Sequence, residues 1–175
     1  MTGIPEYFLH AELALACYGD FAGSVPTVAE LTKDSVGMSD AQARRFARDW
    51  RVVDQYTHSE VIEYIDEFGN PQQVETRNGL SVTLFEEAGT GKRHLAIRGT
   101  DDVGDLLTDW FDIALIGSAK YQSQYQSLKL KVQEWLADPA RLQGRTFTVA
   151  GHSLGGFLAT ALTADFGANI SHAYL

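Results

Sequence analysis

The residues best suited to chemistry in this chain are the six of GHSLGG, Gly151 to Gly156. They follow a β-branched, apolar run at 146–150 and precede a proline-free, small-residue stretch at 157–166, a pattern that predicts a strand, a sharp turn and a helix. A serine at such a turn, here Ser153, is typical of a nucleophile elbow, which raises the hydroxyl above the sheet edge. Glycines two residues before and two after the serine remove side chains that would collide in the turn. The alternative is a glycine-rich turn with a solvated serine, but the flanking strand and helix signals favour the elbow.

A serine that accepts an acyl group also needs two backbone N–H groups to hold the oxyanion of the tetrahedral intermediate. One comes from the residue after the nucleophile, which is Leu154. The other comes from a loop after an earlier strand, and the segment HLAIRGT at 94–100 predicts a buried strand ending at such a loop. Thr100 is therefore the candidate for the second donor, although the segment taken alone also fits an ordinary strand-end turn.

Three segments, AIRGTDD, a downstream DW and VAGHSLGGFLATAL, together resemble the class 3 lipases, a family of fungal triacylglycerol lipases, plant phospholipases and bacterial lipases. The resemblance covers residues 79–175. It implies an α/β-hydrolase core and a Ser–His–Asp triad in which Ser153 is the nucleophile and Thr100 and Leu154 supply the oxyanion hole. It also implies hydrolysis of carboxylic esters, acylglycerols or related lipids, with no cofactor.

The chain departs from this pattern after the elbow. In α/β-hydrolases the acid and the histidine follow the serine on loops after later strands, but only 22 residues follow Ser153. Asp165 is 12 residues along the predicted helix, or about 18 Å away, and His94 and His172 are expected at the far ends of their strands. We therefore expect the triad histidine and acid in downstream sequence, on the same polypeptide or a second chain, and expect this chain alone to be inactive.

The last residues, Ala173 to Leu175, lie within a strand-like run, so we expect a truncated hydrolase domain that stops after the strand following the nucleophile helix. A natural short form is the alternative, acting as a non-catalytic hydrolase-like binding module. A different enzyme on the same elbow, a thioesterase or a peptidase, also stays open, because the scaffold hosts many chemistries.

The segment between the oxyanion loop and the next helix, 101–117, is amphipathic. Leu106, Leu107, Trp110 and Phe111 form an apolar stripe at helical spacing, interleaved with aspartates. A mobile lid needs such a segment, and Trp110 and Phe111 would then contact substrate. The alternative is a fixed helix that packs Trp110 into the core. The aspartates lack the spacing of a calcium loop, so we expect solvated carboxylates and no metal site.

The net charge of −9 argues against nucleic acid and against an anionic membrane surface as partners, but not against a transient interface with neutral lipid. The single cysteine, Cys17, excludes an internal disulfide and is expected in the core. No N-terminal signal peptide and no stretch of transmembrane length is visible. A cytoplasmic location is therefore the default, and export by a C-terminal signal outside this sequence is the alternative.

The elements predict one incomplete α/β domain over 1–175, with a helical N-terminal segment at 1–58 and a sheet core at 59–175. The first helix is apolar on most faces, so we expect it to be buried. A capping box at Ser39–Gln42 begins a helix with Ala43, Phe46, Trp50 and Val53 on one face. Strands at 60–67, 80–86 and 95–98 suggest an antiparallel start to a mostly parallel sheet with flanking helices. A helix at 121–136 then crosses over, right-handed, to a parallel strand at 146–150.

Overall fold

The computed structural model describes residues 4–65, 69–99 and 110–175. Its helices are α1 (Ile4–Ala16), α2 (Val28–Leu31), α3 (Asp40–Asp49), α4 (Trp110–Ala137) and α5 (Leu154–Phe166). Its strands are β1 (Trp50–Ile65), β2 (Pro71–Glu87), β3 (Arg93–Arg98), β4 (Phe147–Gly151) and β5 (Ile170–Tyr174). Among these described helices, none combines the length and hydrophobicity that a membrane span requires.

The strands form one mixed sheet in the order β1-β2-β3-β4-β5. The pairs β1/β2 and β2/β3 are antiparallel, whereas β3/β4 and β4/β5 are parallel. The α/β class with flanking helices and the antiparallel start are thus confirmed, and the parallel share is two of the four pairings. Connection length explains the mixture: five residues separate β1 from β2 and β2 from β3, which suffices only for antiparallel neighbours, while α4 and α5 provide the long crossovers.

Both faces of the sheet are covered by hydrophobic packing. On one face, α4 and α5 pack Trp135, Leu128 and Leu158 against the strands. On the other face, α1 and α3 pack Leu13 and Phe46 against them. In β3, Leu95 and Ile97 enter the first core and Ala96 enters the second, which explains why this apolar run is buried on both faces of the sheet.

The helix predicted to run through Val53 is shorter than expected. α3 ends at Asp49, and Trp50 is already extended, with φ −122° and ψ 150°. Residues 50–57 instead pair with β2 from Glu87 to Ser81, so the helical segment ends at 49 rather than 58. Helical spacing of apolar residues does not distinguish the two states here, because Trp50 packs its ring 5.9 Å from that of Phe46 even from the strand.

The expectation that α1 is buried on most faces is wrong. Leu13, Ala16 and Cys17 are fully buried against the sheet, but Tyr7 and Phe8 are more than half exposed. The helix forms an outer layer, so only one face can reach the strands. Burial raises the pKa of the Cys17 thiol to about 12, which fits the core role expected for this residue.

The segment considered as a lid is only partly described. Its second half belongs to α4, which begins at Trp110 and is longer than the helix predicted at 121–136. Residues 101–109, and the side chains of Trp110 and Phe111, lie outside the description. The lid and the fixed helix therefore both stay predictions.

Candidate active site

Ser153 lies in a two-residue turn between the end of β4 and the start of α5. The strand, turn and helix expected around it are present, and its side chain is exposed. Its backbone has φ 56° and ψ −124°, a combination that residues with a Cβ rarely adopt. Such strain persists only when the surrounding structure enforces it, and it concentrates at functional sites.

Backbone contacts around two glycines, Gly151 and Gly155, enforce this turn. A Cβ added at Gly151 would lie 2.3 Å from the carbonyl carbon and oxygen of Gly155. A Cβ at Gly155 would lie 2.2 Å from the carbonyl oxygen of Ile97 on β3, whereas one at Gly156 would approach nothing closer than 3.3 Å. The first turn of α5 thus lies directly against the backbone of two strands, which only glycine at 151 and 155 permits.

The start of α5 provides one potential oxyanion donor. Leu154 is the first residue of the helix, and the first N–H groups of a helix have no acceptor within it. Together with the helix dipole, they favour negative charge beside Ser153. The Ser153 side chain makes no capping hydrogen bond, so its hydroxyl is not committed to the helix.

The second predicted donor, Thr100, lies outside the described residues, but the chain leading to it passes the elbow. A Cβ added at Gly99 would lie 3.0 Å from the His152 carbonyl oxygen and 3.6 Å from the Ser153 Cβ. The loop after β3 therefore begins beside the serine. The donor role of the Thr100 N–H stays a prediction.

A residue that the sequence did not single out, Tyr18, also borders the elbow. Its hydroxyl lies 3.2 Å from the position of that added Gly99 Cβ, and the Arg98 guanidinium lies 5.7 Å from the centre of its ring. In the sequence Tyr18 is one more apolar position of the first helix. Only the packing of α1 on β3 and β4 brings its hydroxyl here, so no local signal could have identified it.

Three of the five histidines lie at the opposite end of the sheet from Ser153. His94 on β3 and His172 on β5 both pair with Thr148 near the start of β4. His10 on α1 is hydrogen-bonded to the same threonine. Ser153 follows Thr148 by five residues, or about 16 Å of extended chain. The expectation that His94 and His172 lie far from the elbow agrees with this placement.

The remaining groups do not complete a triad. His58 is hydrogen-bonded through Nδ1 to the Tyr56 hydroxyl at 2.7 Å, and it lies on β1, three strands or about 14 Å from β4. Asp165 forms an ion pair with Lys129 on α4 at 2.8 Å, at the far end of α5. His152 is exposed beside Ser153. Within the described residues, the structure brings Leu154, Gly99 and Tyr18 to the elbow but no serine–histidine pair.

The strain at Ser153 predicts an unusual order of stability. The free energy of unfolding of Ser153→Gly should exceed that of Ser153→Ala by about 1 kcal/mol or more, because glycine accepts the positive φ and alanine does not. The glycine variant should therefore unfold at a higher urea concentration. Urea denaturation of both variants followed by circular dichroism measures this difference. Equal stabilities would mean that residue 153 is not held in this conformation.

Comparison with known proteins adds little to this geometry. No protein-family model matches the chain, and no curated protein matches its sequence. Among solved structures, the chain is similar to lipase II from Rhizopus niveus, with a TM-score of 0.48 and 15% sequence identity. The likeness covers 98% of this chain and 62% of that one, so this chain spans less than two thirds of its length.

Proposed function

We propose that this chain carries the nucleophile of a serine ester hydrolase of the class 3 lipase type. The observation that carries the proposal is the backbone of Ser153, held at φ 56° between the end of β4 and the first turn of α5. An exposed serine in a turn that two glycine-only contacts enforce is the arrangement that acyl transfer from an ester needs.

In the proposed mechanism the Ser153 hydroxyl attacks the ester carbonyl carbon. A base takes the hydroxyl proton and returns it to the alcohol that leaves, so that the acyl group stays on Ser153 until water removes it. The N–H groups of Leu154 and Thr100 hold the oxyanion, and one such donor typically lowers the activation free energy by about 3 kcal/mol. Tyr18 borders the same space, and we propose that its hydroxyl helps to fix the loop that carries Thr100.

We propose that the triad histidine and acid come from polypeptide beyond these 175 residues, either continuous with this chain or as a second chain. The placement of the histidines supports this, because His10, His94 and His172 cluster around Thr148 rather than around Ser153. Without a base, the elbow alone would accelerate the reaction only through the oxyanion hole and substrate binding.

Neutral lipid esters are the substrates that we propose. The net charge of −9 disfavours anionic lipid surfaces but leaves acylglycerols accessible. The apolar stripe that includes Trp110 and Phe111 would provide a transient lipid contact if it acts as a lid. An increase in activity above the micellar threshold of a substrate is expected for a lid and not for a fixed helix.

A substrate panel tests the proposed reaction. The chain, together with the polypeptide that supplies the base, should hydrolyse p-nitrophenyl and glycerol carboxylic esters much faster than matched thioesters or anilides. The Ser153→Ala variant is the control for each substrate. Preference for the thioester would indicate a thioesterase, preference for the anilide would indicate a peptidase, and unchanged ester hydrolysis by the variant would refute the nucleophile.

A non-catalytic module is the second candidate, and one observation favours it: among the described residues, no histidine pairs with Ser153. This candidate predicts that the ester or its analogue binds while Ser153 stays unmodified. Ester hydrolysis that depends on Ser153 in any natural form of the protein would exclude it.

A further inference from the structure

Three polar side chains meet between α1 and the sheet, at the end remote from Ser153. The Thr148 hydroxyl oxygen on β4 lies 2.9 Å from Nε2 of His10 on α1 and 2.7 Å from Nδ1 of His94 on β3. The two ring nitrogens are themselves 3.3 Å apart. Both histidines are buried and Thr148 is half-buried, so the two rings depend mainly on protein partners for their hydrogen bonds.

The hydrogen-bond partners determine where the hydrogens lie. Nδ1 of His10 is 2.7 Å from the carbonyl oxygen of Glu6, which can only accept, so Nδ1 carries the hydrogen and Nε2 is an acceptor in the neutral ring. The Thr148 hydroxyl then donates to His10, and its oxygen accepts from the Nδ1–H of His94. Nε2 of His94 is left as a buried lone pair with no partner among the described residues.

Protonation of either ring would disrupt these hydrogen bonds. If Nε2 of His10 took up a proton, it would donate to the Thr148 oxygen, and the Thr148 hydroxyl would then donate to Nδ1 of His94. The hydrogen of His94 would have to move to Nε2, which is buried and has no partner among the described residues. A second proton would leave two N–H donors facing each other at 3.3 Å. A buried donor without an acceptor costs free energy, and so do two adjacent charges.

The surroundings of His94 oppose its protonation. Burial, then the nearby His10 and Lys92, lower the pKa of His94 from its usual 6.5 to about 4. From β1, the Trp50 ring packs edge-on at 5.0 Å and contributes no charge.

The surroundings of His10 are mixed. Burial lowers its pKa most, and the positive form of His172 on β5 lowers it further. Glu6, on α1 itself, acts in the opposite direction through its carbonyl and its charge. Tyr174 on β5 stacks on the ring at 3.5 Å, and since burial raises the pKa of its phenol, it stays neutral in acid. Tyr7 on α1 contacts that phenol edge-on.

We propose that His10, Thr148 and His94 form an acid-sensitive latch, which holds α1 against the sheet at neutral pH and releases it when the two rings take up protons. The usual histidine pKa is 6.5, and the latched state lowers the pKa of both rings. At pH values between 6.5 and these lowered pKa values, the released state therefore binds more protons than the latched state. The latch therefore stabilises the protein fully above about pH 6.5 and progressively less as pH falls toward 4.

Release of α1 has a consequence for the elbow. The helix leads directly into Tyr18, so its release would withdraw the Tyr18 hydroxyl from Gly99. This consequence rests on the proposed function, but the latch does not. Its tests measure the protonation of the histidine rings, amide hydrogen exchange and folding stability rather than ester hydrolysis.

Nuclear magnetic resonance of the unmodified protein gives the first test. Ring nitrogen shifts at pH 7 should show the hydrogen on Nδ1 for both His10 and His94, a tautomer that free histidine disfavours. Amide exchange, corrected for the intrinsic rate, should show α1 losing at least about tenfold more protection than β3 between pH 7 and pH 5. Hydrogens on Nε2, or equal losses in α1 and β3, would overturn the latch.

Substitution of the two rings gives the second test. The His10→Gln/His94→Gln variant should lose the fall in folding equilibrium constant, about tenfold or more, that the unmodified protein shows between pH 6.5 and pH 5. The matched control is His152→Gln, because that histidine is exposed and should leave the pH dependence unchanged. An unchanged pH dependence in the double variant would overturn the proposal, and if that variant does not fold, the tautomers of the unmodified protein still decide.

Discussion

Gly155→Ala is expected to destabilise the protein by more than about 4 kcal/mol, beyond the usual range for a single substitution. The added Cβ would lie 2.2 Å from the Ile97 carbonyl oxygen and 3.0 Å from its carbonyl carbon, and both atoms belong to the backbone of a buried strand. No rotamer change can relieve that contact, so α5 must move away from β3. Urea denaturation measures the loss, or low expression reveals it.

Gly156→Ala is the matched control, because it adds the same methyl group to the next position of the same helix. Its Cβ would approach nothing closer than the Gly151 carbonyl oxygen at 3.3 Å, and alanine is the better helix former. We expect a change within about 1 kcal/mol. Similar losses in the two variants would contradict the close packing of the elbow on β3.

Ser153→Ala is expected to lower kcat for ester hydrolysis by about 10⁴- to 10⁶-fold in the protein supplied with its base. The serine hydroxyl forms the bond to the acyl group, and no other residue at the elbow can replace it. The fold should be unaffected, since the side chain makes no capping hydrogen bond. Steady-state hydrolysis of a carboxylic ester measures the effect.

The control for this variant is Ser127→Ala. Ser127 lies on α4, where its hydroxyl bonds only locally to the Ser123 carbonyl, so its loss should leave kcat within about twofold of the unmodified value. Retained activity in Ser153→Ala, with the fold intact, would show that another group carries the reaction.

The sequence predicts the strand, turn and helix around Ser153 well because their determinants are local. Glycines at fixed distances from Ser153, a β-branched run before them and small residues after them all lie within about twenty positions. The positions of β3 and β4 follow from the same kind of pattern, since each strand contains a short apolar run, as expected for strands at the centre of a sheet.

The features that the sequence does not predict depend on contacts between distant segments. Tyr18 and Gly99 are 81 positions apart, and nothing in the local pattern around either indicates the other. His10 and Thr148 likewise meet across 138 positions. Trp50 fits the apolar face of a helix, yet pairing with Glu87 makes it the first residue of a strand. In each case tertiary packing outweighs local preference.

The measurement that tests the nucleophile most directly is mapping of the fluorophosphonate adduct on this 175-residue protein, with and without added imidazole. Imidazole can act as the base, because His10, His94 and His172 lie at the other end of the sheet and His58 lies three strands away. We predict an adduct on Ser153 whose rate of formation rises with imidazole concentration and which is absent in Ser153→Ala. An adduct at another residue, or labelling of Ser153→Ala at the same rate, would contradict the assignment of Ser153 as the nucleophile.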